Sequence, residues 1–466
     1  MKAKFYLLNI VFAFLILSSC ESEDALPQQA FVAAFEKQSY DYSQIAGDKE
    51  MKLVFSEKAK SSGSVIVKII PENATYGVDF STIPTATDQI LEIPFNAGQS
   101  EVTFVFKNLI YPFDAGNKKI SFEISKINYS AEVAIQGYAT SLISFEKSLG
   151  ATLSPEVGGP NEGNQIYIDL STELVTKVAR DSWDLGFYGG SDSRVAINGS
   201  LYMAVKNLNV TNIDAVTLAS VQSFQSQVAV GTFDPTNINY IDAPNGNITQ
   251  TSISAISEND DDNKVYLLNM GYQIGNTTPA VGTVAVAGNE RGWKKIRILK
   301  SGQNYILQYA DLNSTTHQEV TIPKNAAYNF TFFSFNTQNI VNVEPEKTKW
   351  DLNFTVFTNE IEGSGSYGYS DFVTNNLKAG VKVYRVDTSS FSYANFILAN
   401  VQGTKFTDDQ RIIGAEWRDV FTSSAYSDRF YVLKDADNNY YKIRMLALVN
   451  QNGVRGYPKF EYKLLQ

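Results

Sequence analysis

Few residues in this chain of 466 could act as nucleophiles, general bases or soft metal ligands. The sequence contains one cysteine, Cys20, and one histidine, His317. A single thiol cannot form an internal disulfide, and a zinc site of Cys and His side chains lacks ligands. Chemistry of the Ser-His type would depend entirely on His317, which lies in a polar connector at residues 313–318.

The remaining route to catalysis is a pair of carboxylates of the kind that glycosidases use. The acidic run at residues 258–262 is flanked by Ser and Asn, which is typical of a solvated turn, and no feature marks a paired acid and base. We therefore predict that the protein is not an enzyme. Its formal net charge of -10 also argues against nucleic acid as a partner, because neutralising phosphates requires a basic surface.

The position of Cys20 predicts lipid attachment. Two lysines precede an apolar run from Phe5 to Leu17, which is too short to span a bilayer comfortably and is typical of a secretory signal. The run ends in Leu-Ser-Ser-Cys, which resembles the bacterial lipobox and implies cleavage before Cys20 and diacylglycerol transfer to its thiol. Residues 1–19 are thus predicted to be a lipoprotein signal peptide. A free thiol beside an ordinary signal peptide is the alternative.

Residues 20–29 are predicted to be a tether. The acidic cluster at residues 21–24 resembles the export tag that sends many Bacteroidota lipoproteins to the outer face of the outer membrane. A solvated acidic tether is the alternative. We expect a protein at the cell surface that contacts the membrane only through its lipid anchor, because several acyl chains hold a protein essentially permanently.

Composition and periodicity predict an all-β fold. Aromatic residues make up 13% of the chain and suit pleated, half-buried surfaces. Over residues 30–145, short alternating segments separated by Gly, Pro and Asn predict a β-sandwich. The stretches at 75–80 and 93–99 resemble the Calx-β module, an immunoglobulin-like sandwich. Some of those modules bind calcium, but the segment at 111–117 supplies only Asp114, so we expect a structural spacer.

The rest of the chain repeats itself. The Trp-Asp-Leu stretch at 182–187 is echoed at 349–354, and the Lys-Ile-Arg stretch at 293–297 is echoed at 440–444. The second offset is shorter than the first by about twenty residues, which we expect to lie in a loop around 275–290 of the first copy. This pattern predicts a duplicated β module, with copy 1 at residues 160–322 and copy 2 at residues 323–466.

Each Trp-Asp stretch predicts a strand with a core face. Trp183 and Trp350 are expected to share that face with the Leu and Phe that follow them, and each Asp is expected to brace a neighbouring turn. Helical signals are weak. The one short helix that the sequence predicts begins at Asp214 as N-cap and ends near Val228.

The second copy resembles the HmuY-like haem-binding lipoproteins of Bacteroidota. The matching stretches are residues 332–335, 341–343, 349–352, the Gly-rich 363–368, 428–435, 441–444 and 453–462. Copy 1 carries the same order more loosely. The resemblance implies an all-β fold and capture of haem at the cell surface. It also implies transfer of the haem to an outer-membrane TonB-dependent transporter.

The resemblance does not supply a complete ligand set. Family members that bind haem use paired His, or Met in some relatives, and the loop before Asp428 contains neither. Phenolates can also ligate ferric haem. No metal site apart from the haem iron is expected. The candidate haem ligands are Met203 and Met270 in copy 1, His317 between the copies, and Tyr367 and Tyr369 in the Gly-rich loop.

Each of these candidate ligands also has a simpler structural interpretation. Core packing is the alternative for the two methionines, and a solvated loop residue is the alternative for His317. We therefore expect a surface lipoprotein that binds haem or a related planar ligand without catalysis. The alternative is a surface glycan- or protein-binding lipoprotein on the same fold, with exposed Tyr and Trp as contact platforms. A structural or adhesion role is the third reading.

Overall fold

The computed structural model describes residues 30–42, 45, 47–109, 118–144 and 150–465. The predicted signal peptide, the lipidation site Cys20, the tether and the segment 111–117 with Asp114 lie outside the described residues. The all-β prediction is confirmed, because the described residues form many short strands and a single α-helix of four residues. None of the described helices has the length and apolar character that crossing a membrane requires.

The N-terminal part is a sandwich of two five-stranded sheets, in the orders β5-β7-β3-β1-β9 and β2-β10-β8-β4-β6. Its strands alternate buried and exposed side chains, so that one face of each sheet supplies the core. The strands are β1 Phe31–Phe35, β2 Ser39–Asp41, β3 Asp48–Phe55, β4 Gly63–Glu72, β5 Phe80–Ile83, β6 Ile90–Phe95, β7 Glu101–Asn108, β8 Lys119–Asn128, β9 Val133–Ile135 and β10 Thr140–Ser144.

The C-terminal part contains the duplicated strands. Those up to the end of copy 1 are β11 Gly150–Leu153, β12 Asn164–Ile168, β13 Val175–Ala179, β14 Leu185–Tyr188, β15 Val195–Ile197, β16 Ala204–Asn207, β17 Val265–Asn269, β18 Tyr272–Ile274, β19 Ala287–Glu290, β20 Trp293–Ser301, β21 Asn304–Asp311 and β22 Gln318–Ile322. Those of copy 2 are β23 Phe330–Ser334, β24 Asn339–Val341, β25 Leu352–Ile361, β26 Gly365–Asn375, β27 Lys382–Asp387, β28 Arg418–Asp419, β29 Ser424–Ala425, β30 Arg429–Lys434, β31 Tyr440–Val449 and β32 Arg455–Leu464.

Helical segments in this part are short. The α-helix, α1, is Leu218–Val221. The 3-10 turns are Gly159–Asn161, Gly199–Leu201, Gln225–Gln227, Pro235–Tyr240, Ile248–Gln250, Asp260–Asp262, Leu377–Ala379, Leu398–Asn400 and Gly403–Lys405. The predicted helix is therefore wrong in its extent. It begins after Thr217, whose backbone N–H donates to the Ser220 hydroxyl, and the Asp214 carboxylate pairs with His317 instead of capping the helix.

The strands form four main sheets stacked as layers. Outer sheet 1 has the order β16-β17-β20-β21-β22, and central sheet 1 has the order β15-β14-β23-β24. Central sheet 2 has the order β13-β12-β25-β26, and outer sheet 2 has the order β11-β32-β31-β30-β27. Each outer sheet packs on its central sheet through a separate apolar core, and the two central sheets meet through a third cluster that contains Trp183 and Trp350.

The two copies exchange strands. Central sheet 1 joins the β14–β15 hairpin of copy 1 to the β23–β24 hairpin of copy 2, with Leu185 opposite Phe333. Central sheet 2 joins the β12–β13 hairpin of copy 1 to β25–β26 of copy 2, with Ile168 opposite Leu352. Likewise, β11 pairs with β32 of copy 2. The two copies are therefore interleaved, and the cores of both central sheets require strands from both.

Each Trp-Asp stretch braces the exchanged hairpin, as predicted for the aspartates. The backbone N–H of Asp184 donates to Phe333, and that of Asp351 donates to Ile168. The Asp184 carboxylate accepts from the Phe335 N–H at 2.6 Å, and the Asp351 carboxylate accepts from the Leu170 N–H at 2.8 Å. The two aspartates thus satisfy equivalent backbone donors across the junction between the copies.

The two tryptophans do not lie on the predicted face. Both pack between the central sheets, whereas Leu185 and Leu352, which follow two residues later, face the outer sheets. The pleat begins only at Leu185 and Leu352, so the strict alternation of a strand does not extend back to the tryptophans. The predicted insertion in copy 1 is present: β18, β19 and their loop stand where copy 2 has the tight turn between β30 and β31.

Candidate functional site

A cavity of about 190 Å³ lies between the two central sheets, where the exchanged hairpins meet. Strand alternation sends one set of side chains from each central sheet into it and the other set into the apolar cores. A loop of copy 1 that includes residues 241–248 lines the rim. Both copies therefore contribute to one site.

Central sheet 2 forms a polar wall. Its polar cavity residues include Gln165, Tyr167, Asn353, Thr355 and Thr374, which are all buried, and the apolar Val356 and Phe357 of the same sheet also line the cavity. Central sheet 1 forms an apolar wall. Its cavity residues are Gly186, Ala196, Phe330 and Phe332. A Cβ at Gly186 would lie 3.2 to 3.3 Å from the rings of Phe330 and Phe332, so the glycine provides the room in which the two rings pack.

The two tryptophans at the cavity differ in their hydrogen bonds. The Trp183 indole N–H donates to the side-chain oxygen of Gln165 at 2.8 Å. Ile168 and Phe333 each accept a backbone hydrogen bond from one of the two aspartates, so they are equivalent positions in the two copies. Gln165 lies three residues before Ile168, and Phe330 lies three residues before Phe333. Phe330 in copy 2 therefore occupies the place of Gln165 in copy 1. A phenyl ring cannot accept this bond in the plane of the indole, and the Trp350 indole N–H is buried without a hydrogen-bond partner among the described residues.

Three buried polar atoms of copy 2 at this cavity lack a partner among the described residues: the Trp350 indole nitrogen and the side-chain oxygens of Asn353 and Asn375. Leaving a buried donor or acceptor unsatisfied costs about 1–3 kcal/mol, so such atoms are rare in folded proteins. Because these three atoms lie at a cavity, a ligand or ordered water in it can supply their hydrogen-bond partners.

Three ionisable side chains line the same cavity. Glu344 accepts from the Phe330 N–H at 2.9 Å, and burial raises the pKa of its carboxyl to about 7. Asp242 accepts from the N–H groups of Ile197 and Ser252, and burial raises its pKa to about 6. Burial lowers the pKa of the Lys378 ammonium, which the two carboxylates partly oppose.

Of the sequence-predicted ligands, Met203 alone lines this cavity. Its side chain is fully buried in the core between central sheet 1 and outer sheet 1, in the same apolar cluster as Met270. Met270 also borders an open polar groove with Arg291 and Lys294. Both methionines thus have the core environment that was the alternative for them.

The other three predicted ligands lie elsewhere. The His317 imidazole pairs with the Asp214 carboxylate at 2.9 Å. Tyr367 and Tyr369 stand on the same face of β26 with ring centroids 5.5 Å apart, and Phe233 lies 5.8 Å from Tyr367. Tyr367 and Phe233 are 39% and 64% exposed, so they form an open aromatic surface.

The cavity does not fit a haem with two axial ligands. Its lining offers the core-packed thioether of Met203 and the phenol of Tyr167, whose pKa is raised by burial so that the phenolate is disfavoured, but neither an imidazole nor a thiolate. Its volume of about 190 Å³ is also below the usual 300–1,000 Å³ of pockets for drug-sized ligands. Among the described residues, no group of three or more His, Cys, Asp or Glu could hold a metal ion.

Sequence reasoning missed Lys378, Glu344, Asp242 and Asn375. For the residues of copy 2, the available signal was the comparison of the two copies at equivalent positions, where Asn353 and Lys378 replace the small residues Gly186 and Ser200 and Phe330 replaces Gln165. In the β25–β26 pair Asn353 lies opposite Thr374, and in the β14–β15 pair Gly186 lies opposite Ala196. Each residue comes two positions after the Asp of its Trp-Asp stretch, so Asn353 in copy 2 occupies the place of Gly186 in copy 1. Such a comparison needs the strand register, which the sequence alone did not supply.

The fold and the cavity define a class, an all-β protein with a cavity between two exchanged β modules. Within that class, the chain belongs to the HmuY family, whose sequence model matches residues 161–317 and 326–462. The two matched segments agree with the predicted duplication. No curated protein matches the chain.

Several solved structures are similar to parts of the chain. The Calx CBD1 domain in its apo form is 16% identical, with a TM-score of 0.20, over 24% of this chain and 96% of that one. A Bacteroides fragilis protein provisionally assigned as a lipoprotein is 11% identical, with a TM-score of 0.15, over 68% and 90%. A Bacteroides ovatus protein provisionally assigned as carbohydrate-binding is 8% identical, with a TM-score of 0.17, over 74% and 97%. Likenesses at these TM-scores carry no functional argument.

Proposed function

We propose that this protein is a non-catalytic, glycan-binding lipoprotein of the cell surface, which holds one sugar ring in the cavity between its central sheets. The observation that carries the proposal is the set of three unpartnered polar atoms on Trp350, Asn353 and Asn375. The indole nitrogen needs an acceptor and the two amide oxygens need donors. A hydroxyl group both donates and accepts, so a polyhydroxylated ring satisfies all three with one kind of group.

The opposite wall supports the same ligand class. A sugar ring presents hydroxyls at its edge and C–H groups on its faces. In the cavity, the polar wall of central sheet 2 lies opposite an apolar wall that contains Phe330, Phe332, Gly186 and Ala196. Aromatic side chains supply large apolar contact area with little conformational freedom to lose. A cavity of about 190 Å³ favours a compact ligand such as a single ring or the end of a chain.

The remaining parts of the molecule have supporting roles in this proposal. Residues 1–19 direct export, Cys20 carries the lipid, and residues 20–29 form the tether. The sandwich at 30–145 acts as a spacer that holds the HmuY modules away from the membrane. Captured ligand passes to an outer-membrane TonB-dependent transporter, since no chemistry at the site is required for release.

A glycan array with the lipid-free chain, residues 21–466, tests the proposal. We expect binding to a restricted set of glycans, confirmed by a saturable one-site titration with the corresponding methyl glycoside. Asn353→Leu should abolish this binding because it removes the central polar group of the wall. Asn359→Leu, on the same strand but outside the cavity lining, is the matched control. Failure to bind any glycan would overturn the proposal.

Haem is the second candidate ligand, and the exposed pair of Tyr367 and Phe233 favours it. The HmuY resemblance implies haem capture, and a porphyrin is a planar apolar ligand suited to an aromatic surface. Here Tyr367, with Tyr369 beside it, would supply the phenolate, whereas Met203 and Met270 are buried in the apolar core and His317 pairs with Asp214. We expect a saturable titration with a shifted Soret band that Tyr367→Phe removes. Weak, non-saturating binding would exclude haem.

A further inference from the structure

Lys378 is a cation of the cavity that lies over the Phe330 ring and has no hydrogen bond or ion pair within the described part of the chain. It lies in the 3-10 turn Leu377–Ala379, directly after β26, and lines the cavity. Its ammonium makes no hydrogen bond or ion pair with another described residue, and its Nζ stands 5.5 Å from the centre of the Phe330 ring. An ammonium carries three donors, and Lys378 is only partly buried, so these donors are open to solvent and to a ligand in the cavity.

The two carboxylates at the cavity already have other partners. Glu344 accepts from the Phe330 N–H, and Asp242 accepts from the N–H groups of Ile197 and Ser252. They influence the Lys378 charge through space only. Because burial favours their protonated forms, they oppose an incoming anion less than two exposed carboxylates would.

The fold does not require a lysine here. Asn198 donates to the Trp183 carbonyl as Asn376 donates to the Trp350 carbonyl, so the two asparagines are equivalent. Ser200 and Lys378 each lie two residues after them. Lys378 in copy 2 therefore occupies the place of Ser200 in copy 1. The Ser200 hydroxyl is satisfied locally by the Asn198 side chain at 2.6 Å. Copy 2 therefore has a lysine without a hydrogen-bond partner among the described residues at the position where copy 1 has a serine whose hydroxyl is hydrogen-bonded.

We propose that the bound ring is an acidic sugar, of the uronic or sialic acid class, whose carboxylate binds the Lys378 ammonium. This inference rests on the proposed glycan-binding function and names its ligand class. The sugar carboxylate pairs with the Lys378 ammonium. The ring hydroxyls accept from the Trp350 N–H and donate to the amide oxygens of Asn353 and Asn375. Hydrogen bonds between ionised groups are about twice as strong as neutral ones, so the acid group dominates selection.

Matched sugars that differ only in the acid group test this inference. We would titrate the lipid-free chain at pH 6 with methyl glucoside and methyl glucuronide, then with methyl galactoside and methyl galacturonide, and add the methyl glycoside of N-acetylneuraminate. Ligand-observed NMR covers weak binding and calorimetry covers tight binding. We expect one acidic sugar to bind at least tenfold more tightly than its neutral partner.

Lys378→Met should remove that preference, so that the acidic sugar and its neutral partner bind this variant with affinities within about twofold of each other. Lys459→Met, an exposed lysine on outer sheet 2, is the matched control for charge and should retain the preference. Equal or tighter binding of the neutral sugars by the wild-type chain would overturn the inference and leave the glycan function intact. No binding of any glycan would overturn both, and the wild-type comparison stands even if a variant fails to fold.

Discussion

The two halves of the cavity share a scaffold and differ in what they leave unpaired. On the side of copy 1, Trp183 donates to Gln165, and Ser200 bonds to Asn198. On the side of copy 2, Phe330 stands in the place of Gln165, and the Trp350 N–H has no partner among the described residues. Both halves have the same strand arrangement and the same hydrogen bonds around the Trp-Asp stretch. The residues that differ between them are therefore not required for folding.

The shared part is the brace around each Trp-Asp stretch. Asn198 donates to the carbonyls of Arg180 and Trp183, and Asn376 donates to those of Lys347 and Trp350. These bonds are equivalent in both copies and lie at the junction between exchanged hairpins. They are the structural element, whereas the differing cavity residues are the candidates for ligand selection.

The largest expected effect is on the shared brace. Asn198→Ala and Asn376→Ala each leave two buried carbonyls without their donor, so each should lower the free energy of unfolding by about 2–4 kcal/mol. Chemical denaturation measures both. Similar losses in the two variants would establish the brace as common scaffold. A loss below 0.5 kcal/mol (on the scale of an ordinary surface substitution) in either would contradict that equivalence.

A pH effect of intermediate size should separate the ionisable cavity groups from the brace. The pKa of Glu344 is raised to about 7 in the folded chain, so the folded protein holds this proton more tightly than the unfolded one. The contribution of Glu344 to stability should therefore be largest at pH values below the unfolded pKa of about 4.3 and fall by on the order of 2 kcal/mol as the pH rises through 7.

Glu344→Gln tests the assignment of that effect, because it removes the titrating carboxyl and retains an acceptor for the Phe330 N–H. The fall in stability between pH 5 and pH 8 should become shallower. Glu346→Gln, an exposed neighbour, is the matched control and should leave the profile unchanged. An identical profile in wild type and Glu344→Gln would show that another group titrates.

Exchanging each tryptophan for phenylalanine sharpens the comparison of the two indoles. Trp350→Phe deletes a donor that has no partner, so it should hardly change stability and should weaken ligand binding about three- to tenfold. Trp183→Phe breaks the bond to Gln165 and should cost about 1 kcal/mol of stability. Thermal denaturation and a sugar titration of both variants provide the measurements. The reverse pattern would mean that the ligand contacts copy 1 instead.

The smallest expected effect is at His317. Its pair with Asp214 is partly exposed, and pairs of this kind contribute about 0–1 kcal/mol. His317→Asn should therefore shift the free energy of unfolding by less than 1 kcal/mol and leave glycan binding unchanged. Loss of a haem Soret shift in this variant would instead assign His317 as an axial ligand.

Much of the fold could be predicted from local patterns. Strand alternation and turn residues indicated the N-terminal sandwich, and the recurrence of Trp-Asp-Leu indicated the duplication and its insertion. The exchange of hairpins could not be predicted, because β12 has the same alternation whether it pairs with β14 or with β25. The faces of Trp183 and Trp350 were wrong for a related reason, since the point at which a pleat begins depends on tertiary pairing.

The site was less accessible to prediction than the fold. Met203, Met270 and His317 were chosen by residue type, and type alone does not distinguish a buried thioether of the core from a ligand. Lys378 carries no sequence signal of its own, because its meaning comes from the equivalence with Ser200 that only the register reveals. The lipid anchor at Cys20 remains a prediction.

A calorimetric titration of the lipid-free chain, with the glycan selected on an array, tests the central claim most directly. The account predicts one saturable site per chain, with binding abolished in Asn353→Leu and retained in Asn359→Leu. The absence of glycan binding, together with a saturable haem spectrum that depends on Tyr367, would contradict it and move the functional site from the cavity to the exposed aromatic surface.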